Sequence, residues 1–252
     1  MLGFDPDDAS EELIVRLSAY EKQLGVAAVE EAATSYPGAD SADVLAKTLE
    51  AVAASTIRLD RIVAKRLPST ATRPAGGISP WQLAETAARE MREAVGMPHG
   101  PIRAKSLADI LGCRWTDLND AQPTARQLPY AAVATERGNV DRCALQSDRG
   151  RSRQRRFEIS RALGDAVWEP QGMFAPVSRA KTDRQKFQRA FAQSLLCPFS
   201  DLIAYIDTTS PTEKHVRDAA KHFHVSEGVV YTALVNKHVL PRERLEDRLE
   251  AA

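Results

Sequence analysis

The sequence predicts an α+β protein, and three observations carry that reading. Long segments with apolar residues at helical spacing occupy the first hundred positions. Short β-type runs then cluster between 113 and 146, and further helical patterns fill the remainder. Strands gathered in one stretch rather than alternating with helices argue for a small antiparallel or mixed sheet, here three-stranded, with helices segregated around it.

Taken in order, residues 9–34 read as helix, with Leu13, Leu17, Tyr20 and Leu24 near helical spacing. Tyr36-Pro37-Gly38 breaks it. Ser41 opens a second helix whose apolar stripe (Val44, Leu45, Leu49, Val52, Ile57, Ile62) runs to about Leu67. These two helices form an α-helical N-terminal unit, 1–67, followed by a Pro- and Gly-punctuated linker, 68–77. Ser79-Pro80 is N-cap chemistry with proline at the first helical position. The helix it opens repeats Trp81, Ala84, Ala88, Met91 and Val95 on one face and stops at Gly96. Leu107, Ile110 and Leu111 make a short helix ended by Gly112. Cys113–Leu118 is a strand candidate, and Tyr130–Thr135 with Val140–Gln146 form a hairpin around Gly138-Asn139. Helices follow over Phe157–Trp168, with Ile159, Leu163 and Val167 buried, and over Lys181–Leu196. In the latter Phe187, Ala190, Phe191, Ser194 and Leu195 face inward and Pro198 closes it. Residues 210–240 hold two more helices, capped by Ser210 with Glu213 and by Ser226. Residues 241–252 are a C-terminal extension.

Composition narrows the functional classes. Lys and Arg total 34, Asp and Glu total 34, so bulk charge announces no nucleic-acid or membrane partner. Locally the balance breaks: acids dominate up to Glu50, and Arg149, Arg151, Arg153, Arg155 and Arg156 form a basic run. Cys113, Cys143 and Cys197 are odd in number and far apart, which argues for reduced thiols rather than disulfides or a zinc site. The acidic start lacks a secretory signal, and no apolar run reaches the ~18 residues of a membrane span. A cytoplasmic protein is expected.

One string carries more chemistry than the rest. R-R-F-E-I-S-R-A-L-G-D-A-V-W, residues 155–168, resembles the helix of the ImmA/IrrE metallopeptidase family, which reads R-x-F-T-L-A-H-E-L-G-H. Q-K-F-Q-R-A-F-A-Q-S-L-L-C-P resembles the family's E-x-x-A-N-x-F-A-A-x-L-L-M-P, and the likeness extends over about residues 78–240. It implies a zincin-like fold with a groove between the 157–168 and 181–196 helices. In such a site two His one turn apart and a third donor bind zinc, and a Glu takes a proton from zinc-bound water. Here the ligand positions hold Arg161, Asp165 and Gln185, and the base position holds Ala162. Guanidinium has no free lone pair, an amide is a poor zinc ligand beside a carboxylate, and alanine is no base. The catalytic positions are therefore degenerate, and neither metal nor cofactor is expected. Arg161 and Asp165, four apart, form an ion pair in this reading, unless they are two plain surface charges. The five histidines offer no relocated site: His222 and His224, two apart, point away from each other on a helix.

The resemblance implies a catalytically silent, protein-binding regulatory module, its partner a transcriptional regulator or a toxin, in bacterial or phage stress response, mobile-element immunity or a toxin-antitoxin-like system. The N-terminal helices then serve a homodimer or a partner. Two alternatives stay open: a metalloendopeptidase with non-standard ligands that cleaves a repressor, and a DNA-binding regulator. The tail A-A-K-x-F-x-V-S-x-x-x-V-Y-x-x-L resembles a helix-turn-helix. Its second helix opens with Glu227, Gly228 and valines instead of base-reading Arg, Asn or Gln, so packing is favoured over DNA. The five arginines suit phosphate or an acidic partner surface, or else lie in a solvated loop.

Overall fold

A computed structural model describes residues 10–35, 40–67, 77–135, 141–148 and 152–243. Among these residues the helices are α1 (Glu11–Leu24), α2 (Val26–Ser35), α3 (Asp40–Ala54), α4 (Ile62–Arg66), α5 (Pro80–Ala94), α6 (Ala104–Ile110), α7 (Trp115–Asp120), α8 (Ser152–Trp168), α9 (Asp183–Leu196), α10 (Phe199–Ile206), α11 (Glu213–His222) and α12 (Glu227–Asn236). The strands are β1 (Arg58–Leu59), β2 (Ala131–Thr135), β3 (Asp141–Leu145) and β4 (Phe174–Val177), in one antiparallel sheet of order β1-β3-β2-β4.

The α+β character holds, but the sheet differs from the expected three strands. Cys113–Leu118 is no strand: its C-terminal half opens α7, beginning after Arg114, which pairs with Asp117 on the same turn at 2.8 Å. The other two expected strands pair as foreseen, with Val133 opposite Cys143. The hairpin turn at Gly138-Asn139 lies outside the described residues, as does most of the 68–77 linker. β1 and β4 are too short to show a period of two. β1 replaces the end of the helix expected to reach Leu67, because α3 stops at Ala54 and the chain turns to pair with β3. The 9–34 helix is likewise two, divided at Gly25, whose φ of 88° ends α1.

Side-chain alternation across the sheet explains its alanine-rich strands. Ala131, Val133, Cys143, Leu145, Ala175 and Val177 join the main core with Ile159, Leu163, Phe187 and Phe191. Ala132, Ala144 and Phe174 point the other way and share a second core with Leu13, Leu17, Leu24, Val29 and Leu45. Successive strand residues face opposite sides, so both faces are buried and small residues let two helical layers approach. The N-terminal helices are thus one layer of the fold, with their apolar residues packed on the sheet.

α8 runs through the centre. Every residue from Arg155 to Val167 is buried except Phe157, which is half-buried. Its contact with α9 depends on Gly164, where a Cβ would sit 2.7 Å from Cδ1 of Phe191. Caps agree with the sequence in part. Gln82 Oε1 accepts from the Ser79 backbone N–H at 3.1 Å and from its hydroxyl at 2.8 Å, fixing the start of α5. Ser226 Oγ accepts from Val229 N–H to start α12. The α11 cap, however, is Thr212 with His215, two residues beyond the expected Ser210 with Glu213.

Candidate functional site: a sealed slot and an open groove

Arg161, Asp165 and Gln185 do meet, at the crossing of α8 and α9 beside β4. Arg161 Nη2 donates to Gln185 Oε1 at 2.6 Å and to the Ser178 carbonyl at 2.7 Å. Gln185 Oε1 also accepts from Ser178 N–H at 3.0 Å, and its Nε2 donates to the Pro176 carbonyl at 2.8 Å. Gln185 thereby serves as a bridge that ties the β4 exit to both helices. Burial lowers the Arg161 pKa to about 9, with Arg189 adding repulsion and the Glu158 carboxylate opposing it; the group stays charged at neutral pH.

Asp165 lies one turn on and faces a different cation. Arg184 clasps it with two bonds, Nε to Oδ1 at 2.6 Å and Nη2 to Oδ2 at 2.8 Å, while Nη2 also reaches the Phe174 carbonyl at 2.9 Å. Gln188 Nε2 adds a third donor to Asp165 Oδ1 at 2.6 Å. Burial would lower the Arg184 pKa, but the Asp165 carboxylate raises it. The ion pair expected between Arg161 and Asp165 therefore gives way to two separate networks. Nor are these plain surface charges: Arg161 is 4% exposed and Asp165 1%. Buried charges persist only when paired and hydrogen-bonded, and Arg184 and Gln188 supply what the sequence pattern at 161–165 could not reveal.

The N-terminal layer closes the slot. Glu31 of α2 is 4% exposed and accepts from Thr182 Oγ1 at 2.8 Å and from Ser178 Oγ at 3.4 Å. Burial raises its pKa, against the lowering effect of Thr182. The groove expected between the two helices is thus filled by side chains. The donor set does not fit zinc, since Arg161 offers no lone pair, Gln185 Oε1 is already used by two N–H donors, and Ala162 packs in the apolar core. Among the described residues no group of three or more His, Cys, Asp or Glu could hold a metal ion. The histidines sit elsewhere: His99 Nδ1 is 3.2 Å from Asp201, His222 stacks on Tyr205 and His224 has a φ of 54°. Cys113, Cys143 and Cys197 are free thiols, each with its pKa pushed up by burial.

The arginine run divides. Arg149 and Arg151 lie outside the described residues. Arg155 and Arg156 do not form a binding patch, because both are buried and bonded to backbone carbonyls. Arg155 donates to Ser147, Asn119 and Ala121 at 2.8 to 2.9 Å and also to Leu118; Arg156 donates to Ile102 and His224. Each guanidinium thus ties neighbouring segments onto the start of α8 by donating to backbone carbonyls, which need a partner once buried. Arg153 is exposed and points to the surface.

That surface is a groove of about 1310 Å³ between α5, the start of α8, α9 and α12. Trp81, Phe157 and Val229 give it apolar walls, with Arg153, Lys186 and Arg189 around them. Trp81 is the exception to the α5 core face: Ala84, Ala88 and Met91 are buried, but Trp81 is 53% exposed. Ser194 also lines the groove instead of facing inward with Phe187, Phe191 and Leu195, while Ala190 is half-buried, packed against the core and reaching the groove as well. A helical stripe wider than the core can cover reads as one continuous apolar face, which is why sequence spacing assigned these residues inward. α12, the recognition-like helix of the tail, contributes Val229 and Thr232 to this concave wall.

No family model, no curated protein and no solved structure matches the chain.

Proposed function

We propose that the chain is a non-cleaving, ImmA/IrrE-like protein that works as a protein-binding regulatory module, its partner a transcriptional regulator or a toxin in a stress-response or immunity system. One observation carries the non-cleaving half. The three positions where the resembled family holds zinc instead carry buried groups hydrogen-bonded to side chains of the same chain, Arg161 with Gln185 and Asp165 with Arg184. Opening a metal site there would orphan several buried polar atoms at once, at roughly 1–3 kcal/mol each. The binding half is supported by the groove flanked by a half-exposed tryptophan. Contact with DNA draws less support, because the outer side of α12 forms the wall of a concavity and a reading helix must enter the major groove.

The test is metal content and cleavage measured on one preparation purified without chelator. The proposal expects substoichiometric zinc and an interacting regulator or toxin recovered at full length after prolonged incubation. Stoichiometric zinc with zinc-dependent cleavage of that partner would favour the metalloendopeptidase alternative.

A further inference from the structure

The groove is positively charged around an apolar centre. Arg153, Lys186, Arg189 and Lys237 line it, against Glu85 as the lining carboxylate. Glu85 is held by Lys237 at 2.8 Å, and Arg153 has no ion pair with a described residue. Trp81, 53% exposed, stands beside half-buried Phe157 and Val229. Lys186 pairs with Asp183 on its own helix at 3.0 Å, with side chains 45% and 57% exposed, and Arg189 donates to the Ala180 carbonyl. An exposed ion pair of this kind is weak and yields readily to a competing carboxylate, so an exposed indole beside these cations makes a recognition surface. At about 1310 Å³ the groove exceeds the ~300–1,000 Å³ of ordinary small-molecule pockets, so its size suits a length of polypeptide. α5, α9 and α12 form its walls, the setting in which an amphipathic helix lays its apolar face between helices.

From this charge and shape we infer that the groove is a docking site for an acidic amphipathic helix of a partner protein. Leu- or Phe-type anchors of that helix sit against Trp81 and Phe157, and its carboxylates face Arg153 and Lys186. The inference rests on the protein-binding reading and adds the partner's chemistry to it. Trp81 is the anchor of the site, and Arg153 and Lys186 select for charge and speed encounter.

The experiment uses a fluorescein-labelled synthetic helix of about 15 residues, long enough to fold on binding, with Leu at i, i+3, i+4 and i+7 and Glu on its other faces. A twin replaces every Glu by Lys. Anisotropy titrations on the full chain should show saturable binding of the acidic probe and binding of the twin at least about tenfold weaker. Trp81→Ala should weaken the acidic probe about 30-fold. Arg153→Glu with Lys186→Glu should weaken it about tenfold, and raised salt should weaken it in the wild type. All three residues are substantially exposed, so thermal unfolding should be unchanged and verifies that the variants fold. Equal affinity for the two probes, absence of saturable binding, or binding indifferent to Trp81→Ala each overturns the inference. So does self-association in sedimentation that Arg153→Glu abolishes, since the occupant would then be a second copy. Zinc and cleavage assays on the same samples separate the two claims: a zinc-free chain that ignores the probe defeats the groove alone, and a zinc-dependent protease defeats the non-cleaving reading.

Discussion

The two sides of α9 make opposite use of polar side chains. Facing α8, Arg184, Gln185 and Gln188 are buried, and their groups reach Asp165, Arg161 or backbone carbonyls. On the other side, Lys186, Arg189 and Ala190 line a groove that is open to water. One short helix thus holds a structural lock and a surface available for recognition. Polar residues bonded to one another in the interior hold the fold, whereas polar residues beside an exposed tryptophan make weak surface pairs that a partner can replace.

Substitutions should separate the two sides sharply. The largest effect is expected at Asp165→Ala, which strands the Arg184 guanidinium in the interior and should cost about 3–5 kcal/mol in urea unfolding. Next comes Glu158, whose carboxyl accepts from Ser147 and Gln154 and whose pKa burial pushes up from 4.5 to about 7. The folded state binds this proton more tightly than the unfolded chain, so its stabilisation is full below pH 4.5 and is lost as pH rises through about 7. Up to roughly 3 kcal/mol of slope across that window follows from the two values. Glu158→Gln should flatten the stability-versus-pH curve there, and an unchanged slope would remove Glu158 as its source. Gly164→Ala forces a methyl against the Phe191 ring and should cost about 1–3 kcal/mol by the same unfolding assay. At the small end, Arg153→Ala in the groove should shift stability by no more than about 0.5 kcal/mol.

The sequence revealed more of the helices and strands that frame the slot than of what fills it. Ile159, Leu163 and Val167 were legible as a buried stripe, and the hairpin strands as short runs flanking Gly138-Asn139, because both patterns are local. Arg155 and Arg156 read as a basic patch for the opposite reason: their acceptors at Ile102, Leu118, Asn119, Ala121, Ser147 and His224 are mostly far away in sequence. A charged residue looks solvated until the carbonyls that surround it are known. Arg161, Asp165 and Gln185 were found through the frame of a family motif, and the structure does bring them together. Their true partners, Arg184, Gln188 and Glu31, have no such frame. The likeness of Arg184 and Asp165 to a pair is invisible at a separation of 19 residues. Likewise β1, of two residues, gains its strand geometry from β3 and not from any pattern of its own.

A double-mutant cycle on Asp165 and Arg184, run by urea unfolding with and without added zinc, is the most direct test of the lock. Asp165→Ala and Arg184→Ala should each cost about 3–5 kcal/mol, the double variant should cost little more than either alone, and zinc should leave the wild-type midpoint where it is. Small additive losses, together with a midpoint that zinc raises, would contradict a slot built to hold the chain together.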